Sequence, residues 1–140
     1  MLSAEELKKI SESIRNAESH TSGEIRVCVA RHCKGDPLEA AFKKFHQLKM
    51  DKTRLRNGVL VYLSPSDQKA AIFGDKGINE HVRADFWHDA LEEMLDSFRR
   101  GDITDGICKG VGKTGELIKV LYPVSENDIN ELSDEVILEE

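Results

Sequence analysis

What this chain lacks narrows it first. None of its apolar runs approaches the roughly 18 residues that a membrane-spanning helix needs, so no membrane span is expected. The opening Met1-Leu2-Ser3-Ala4-Glu5-Glu6-Leu7 is acidic and has no apolar signal core. No export signal is visible, and the cytoplasm is the expected compartment. Cysteine is sparse and odd in number: Cys28, Cys33 and Cys108, without repeated spacing. That argues against a disulfide framework and suits a reducing compartment, with the thiols read as buried packing groups. A concentrated basic face is missing as well. The net charge is −6, and residues 123–140 carry seven acids and no Lys or Arg, which leaves residues 1–122 at +1, with 19 acids against 20 bases. A neutral body with an acidic tail offers nucleic acid no footing. His20, His32, His46, His81 and His88 are scattered, and only His81 and His88 share a helical step, so no zinc site is implied.

What is present fits one domain with a real core. The chain has 140 residues, 39% hydrophobic and 33% charged, enough to bury about two-thirds of its unfolded surface. Ser3-Ala4-Glu5-Glu6 is a capping box, and Leu7, Ile10, Ile14 and Ala17 follow at helical spacing, which predicts a helix over 4–18. Glu24 to His32 alternates as a strand. Asp36-Pro37 starts a helix whose inner face is Leu38, Ala41, Phe42, Phe45 and Leu48, ending near Lys49. Strand, helix, strand at this spacing is a βαβ unit with parallel strands. Residues 78–86 are expected to form a short helix or helical turn. Trp87 to Arg100 reads as a clearer helix, closed by Gly101. A last helix begins at Asp102-Ile103-Thr104-Asp105 and stops at Tyr122-Pro123; Gly106 and Gly110 would let it approach a neighbour closely. The expected division is one domain over 1–122 and an acidic tail over 123–140. That tail either lacks fixed structure or docks through Val136, Ile137 and Leu138.

The most informative stretch runs from Asn57 to Gly77. Gly58-Val59-Leu60-Val61-Tyr62-Leu63 is an apolar strand, Pro65-Ser66-Asp67-Gln68 a polar turn, and Lys69 to Phe73 a second strand ending in Gly74-Asp75-Lys76-Gly77. A hairpin brings its open ends together. The starts of the first two strands, Glu24 and Asn57, and the end of the third, Asp75, should therefore meet at one edge of the sheet. Acid and amide oxygens around a glycine-rich turn suit a hard cation such as Ca²⁺ or Mg²⁺. Arg54, close in sequence, is expected either to hold a phosphate or to pair with Asp75. Asp102 and Asp105 read first as helix caps, with lone pairs left over for a cation. Gly110-Val111-Gly112-Lys113-Thr114-Gly115 looks like a phosphate loop but fails on spacing, since Ile107 stands where that pattern needs glycine, and it lies inside a predicted helix.

Four segments in order carry a resemblance: Ser22-Gly23-Glu24-Ile25-Arg26-Val27, Arg56-Asn57-Gly58-Val59-Leu60-Val61-Tyr62, Ala71-Ile72-Phe73-Gly74-Asp75-Lys76-Gly77-Ile78 and Phe98-Arg99-Arg100-Gly101-Asp102-Ile103. Residues 22–121 resemble the TPM domain family, whose members include a thylakoid-lumen acid phosphatase linked to photosystem II repair and many bacterial proteins. The chain is similar to the small stand-alone bacterial members. It departs from the commoner form at Gly74-Asp75-Lys76-Gly77, where relatives often have a Thr-Gly-Tyr-Gly type of turn. The resemblance implies an α/β/α sandwich, three layers around a small mixed central sheet. It also implies Ca²⁺ or Mg²⁺ binding, for which Glu24, Asp75, Asp102 and Asp105 are the ligand candidates, with Asn57, Gly74 and Gly77 at the site's edge.

Two functions follow as expectations. The first is a cation-binding interaction or regulatory module, a monomer with an acidic tail suited to docking on a protein partner. The alternative is a metal-dependent phosphatase acting on phosphate monoesters, with Asp75 as ligand or general base and Arg54 steadying the phosphoryl oxygens.

Overall fold

The computed structural model describes residues 2–124 and 131–139. The tail residues Glu126, Asp128 and Glu140, counted among its acids, lie outside the described residues. Helix α1 spans Ala4–Glu18 and starts on the expected capping box: the Ser3 hydroxyl accepts from the Glu6 amide at 3.1 Å and Glu6 accepts from the Ser3 amide at 2.9 Å. Strand β1 is Glu24–Ala30, helix α2 Pro37–Gln47, strand β2 Gly58–Ser64 and strand β3 Lys69–Gly74. Then come α3 (Lys76–Asn79), α4 (His88–Arg99) and α5 (Ile103–Lys119), and the chain returns in strand β4, Ile137–Glu139.

The strand order is β3-β2-β1-β4. β1 runs parallel to β2 and to β4, whereas β3 pairs antiparallel with β2. The mixed sheet is the expected one. Every residue of β2 is buried, because it lies in the interior of the sheet with both faces covered. One face carries Ile25, Val27, Val59, Val61, Leu63 and Ile72 against Ile10 and Ile14 of α1, Met94 and Phe98 of α4, and Ile107, Val111 and Ile118 of α5. The other carries Cys28, Ala30, Leu60, Tyr62 and Ala71 against Ala41 and Phe45 of α2. Three layers result, α1/α4/α5, sheet, and α2.

The differences from expectation are local. β1 ends at Ala30, two residues early: the Arg31 amide still donates to the Glu139 carbonyl, but the chain then bends so that the Cys33 amide meets Asp67 Oδ2 at 2.7 Å. α3 begins earlier than the periodicity suggests and is one turn long, because Asp75 is its N-cap and accepts from the Lys76 amide at 2.8 Å. The tail supplies β4, paired with β1 over Cys28–Ala30. Among the described residues, no helix is long and apolar enough to cross a membrane.

Candidate functional site

The three strand ends meet as topology requires. The Glu24 amide donates to the Asn57 carbonyl at 3.2 Å, the Asp75 amide to the Gly58 carbonyl at 2.9 Å, and the Gly77 amide to the Arg56 carbonyl at 2.8 Å. Thr21, Ser22, Glu24, Thr53, Asn57 and Asp75 all cluster here, six of the nine buried polar or charged side chains among the described residues. Burying polar groups costs free energy unless they are bonded. Such a concentration at one end therefore marks a place where the fold holds polar chemistry rather than packing.

Each group can be followed to its partners. Asn57 braces the end: its Nδ2 donates to the Ser22 carbonyl at 3.0 Å. Gly77 is there for space, since a Cβ would stand 2.6 Å from the Leu55 carbonyl oxygen and 2.7 Å from that of Arg56. A Cβ on Gly74 would crowd Trp87 at 3.2 Å. Asp75 does not pair with Arg54. Both of its oxygens are taken by Arg56, Nε to Oδ2 at 2.8 Å and Nη2 to Oδ1 at 2.9 Å, and Oδ1 also caps α3. Arg54 is exposed, and its backbone amide, not its guanidinium, engages the Glu131 carboxylate at 3.4 Å.

Asp102 and Asp105 are not part of this end. α5 is 17 residues long, about 25 Å. Its C-terminal side adjoins the Glu24 end, where Tyr122 accepts from the Ser22 amide at 2.9 Å. Its N-terminal side lies at the far end, where Gly101 and Ile103 line a cavity of about 590 Å³ with Ala30, Arg31 and Pro65. Asp102 occupies the N-cap position without making a side-chain cap bond; it stands 3.7 Å from Arg100, and Asp105 pairs with Lys109 at 3.1 Å. The four candidate ligands therefore split between opposite ends of the sheet.

Sequence reasoning missed two carboxylates that do join Glu24. Glu18, the last residue of α1, accepts from the Ile25 amide through Oε2 at 2.9 Å and is hydrogen-bonded to the Asp134 side chain. Burial above all, then the bond to Asp134 and the charges of Asp134 and Glu24, push its carboxyl up to about 9. At neutral pH Glu18 therefore keeps its proton. Glu24 Oε1 receives the amides of Glu131 and of Leu132, the latter at 2.8 Å. Two buried polar atoms here find no hydrogen-bond partner among the described residues, Thr53 Oγ1 and Arg26 Nε. Burial lowers the Arg26 pKa, against the pull of nearby Glu135. The end thus offers carboxylate and hydroxyl oxygens, the donor chemistry of hard cations. Among the described residues no three His, Cys, Asp or Glu side chains are already assembled around one point as a metal cage.

A family model of the TPM domain matches residues 1–117. The chain belongs to the TPM domain family. Among solved structures, this TPM domain is similar to the BA42 protein of the psychrophilic bacterium Bizionia argentinensis, with 40% identity and a TM-score of 0.89 over 99% of this chain and 95% of that one. The N-terminal domain of a protein from P. gingivalis matches at 14% identity and a TM-score of 0.69, over 90% of this chain and 83% of that one. The N-terminal domain of cg2496 from Corynebacterium glutamicum matches at 12% and 0.65, over 98% and 80%. These last two show the shared fold alone. No curated protein matches the chain.

Proposed function

We propose that this TPM domain is a divalent-cation-binding interaction module, taking Ca²⁺ or Mg²⁺ at the end of the sheet where Glu18, Glu24 and Asp134 lie, with the side chains closing on the ion as it binds. The observation that carries the reading is the gathering of acidic groups at this end: Glu18 on the Ile25 amide and Glu24 on the Glu131 and Leu132 amides, with Asp134 close enough to raise the Glu18 carboxyl. A carboxyl held protonated beside other acidic groups is a place where a cation can take the proton's role. The all-oxygen set of carboxylate donors suits Ca²⁺ or Mg²⁺ rather than a softer metal. Loading must displace the Glu18 proton, so affinity rises with pH. Without a pre-formed cage the dissociation constant is expected on the order of 10⁻⁴–10⁻³ M.

The test is an amide NMR titration with Ca²⁺ and then Mg²⁺. Saturable shifts at Glu18, Glu24, Ile25, Leu132 and Asp134 support the reading. No shifts, or shifts confined to Asp102 and Asp105, overturn it. The phosphatase alternative finds less support, because Asp75 already has both oxygens on Arg56. Hydrolysis of an aryl phosphate that disappears in Asp75→Asn would restore it.

A further inference from the structure

The C-terminal segment is held in an unusual way. β4 pairs with β1 over only three positions, Cys28 with Ile137, Val29 with Leu138 and Ala30 with Glu139. Its side chains stay partly exposed, Leu138 at 45%. So short a strand contributes little by itself. The segment is gripped instead at separate points along the body. Glu24 takes two consecutive backbone amides, those of Glu131 and Leu132. Leu132 packs into the apolar cluster of Phe45, Met50 and Leu60, and Ile137 packs onto the same cluster beside Cys28. Seven residues after Leu132, the Glu139 carboxylate is taken by Lys44 Nζ of α2 and by the Tyr62 hydroxyl of β2, the latter at 2.9 Å. The Arg31 amide continues the ladder onto the Glu139 carbonyl at 2.8 Å.

These grips belong to the body, not to the tail. A carboxylate that holds main-chain amides, an apolar hollow, a strand edge covered only by the short β4 and a Lys–Tyr pair for a carboxylate make up a peptide-reading surface. The charge matches too: residues 131–139 carry Glu131, Asp134, Glu135 and Glu139, and the body sets Lys44 against Glu139 and Arg26 near Glu135. We infer that the β1 edge is an acceptor site for an extended acidic strand of a partner protein, read as Leu, four residues, Ile, one residue, Glu, and that the chain's own residues 131–139 are its resident occupant. The inference deepens the interaction-module reading and rests on that part of it; it does not need the cation.

A partner strand must displace the resident one, whose attachment gives it an effective concentration in the millimolar range. Weakening the resident should therefore open the site. The test uses the full chain, a fluorescent synthetic peptide of residues 131–139 as probe, and fluorescence anisotropy in EDTA. Leu132→Asp in the protein should bind the unaltered peptide about tenfold or more tighter than wild type does. Adding Lys44→Met should remove most of that gain, whereas Lys113→Met should not. Equal, weak binding by wild type and Leu132→Asp overturns the inference, as does binding that ignores Lys44. Should Leu132→Asp fail to fold, the wild-type protein with excess unlabelled peptide decides. Amide resonances of Ile137 to Glu139 moving to unpaired positions support the acceptor site, and unmoved resonances at saturating peptide overturn it. A concentration-dependent dimer that the peptide cannot dissolve would overturn the partner strand in favour of exchange between copies. Loss of the Ca²⁺ response with peptide binding intact would sink the cation reading alone, so the two fail separately.

Discussion

Arg56 and Asp75 meet fork to fork, Nε on Oδ2 at 2.8 Å and Nη2 on Oδ1 at 2.9 Å, with Asp75 3% exposed and Arg56 in a left-handed backbone conformation, φ 52°. Non-glycine residues enter that region only when their surroundings insist. Here the insistence is visible. The Arg56 carbonyl accepts from Gly77, and its side chain locks the residue that caps α3. The pair ties the loop before β2 to the turn after β3 and so fixes the end of the sheet where Glu24 lies.

Asp75→Ala should destabilise by roughly 2–4 kcal/mol, because it removes a charge-assisted pair and a helix cap together. Asp75→Asn, which keeps an oxygen for the Lys76 amide, should be milder. Urea midpoints compare the two. Neither change should alter the Ca²⁺ titration, since the Asp75 oxygens are already occupied; a lost Ca²⁺ response in a folded Asp75→Asn protein would return Asp75 to the ligand set.

The contrast between Arg54 and Arg56 shows what was legible. Helices, strands and the meeting of Glu24, Asn57 and Asp75 follow from periodicity and hairpin closure, which are local or topological. Which arginine reaches Asp75 depends on a positive φ at Arg56, a tertiary imposition that no propensity announces. Glu18 was hidden for a related reason. It ends an amphipathic helix among polar residues, and its partner arrives on a segment whose neighbour Glu131 lies 107 residues from Glu24. Conversely, Asp102 and Asp105 carried a legible helix-start signal that said nothing about which end of the sheet the helix start would occupy.

Two glycines of α5 should respond oppositely to alanine. Gly110 lies against α4, and a Cβ there would fall well inside contact distance of the fully buried Met94 side chain. The overlap should outweigh the helix-propensity gain, so Gly110→Ala is expected to destabilise by about 1–3 kcal/mol. Gly112 has nothing within 4 Å of its Cβ position. Gly112→Ala should stabilise by up to about 1 kcal/mol. Thermal unfolding reads both, and shortening Met94 should recover part of the Gly110→Ala loss.

Thiol chemistry gives a third check. Cys28 is fully buried between the sheet and α2, and burial pushes its thiol up to about 12. Cys33 is 5% exposed, whereas Cys108 is half-buried. Iodoacetamide at neutral pH should modify Cys108 first, with Cys28 inert. In a Cys108→Ser background, Leu132→Asp should speed Cys28 labelling by opening the tail side of its cluster; peptide mass spectrometry after brief labelling shows it. An unchanged Cys28 rate would mean that α2 alone shields the thiol.

Stability should pass through a maximum in pH, set by two carboxyl groups on either side of the tail. Glu18 is pushed up to about 9 in the folded protein, by burial first and by Asp134 second, from the ordinary glutamate value of 4.5. Between those values the folded state holds a proton that the unfolded chain has released. Its contribution is thus fully present below about 4.5 and is lost as pH rises through about 9. The limiting slope is one proton, about 1.4 kcal/mol per pH unit, and partial exposure of the site narrows the pH window over which it acts. Glu139 acts in the opposite sense. Burial pulls it up, but the bonds from Lys44 and Tyr62 outweigh burial and hold it below the ordinary carboxylate range. Its contribution is present above that range and disappears as pH falls through the lowered value. Glu18→Gln should flatten the alkaline limb of a stability–pH curve, and Glu139→Gln the acid limb. Urea midpoints across the pH range decide it: an alkaline limb just as steep in Glu18→Gln as in wild type would show that the proton is held elsewhere.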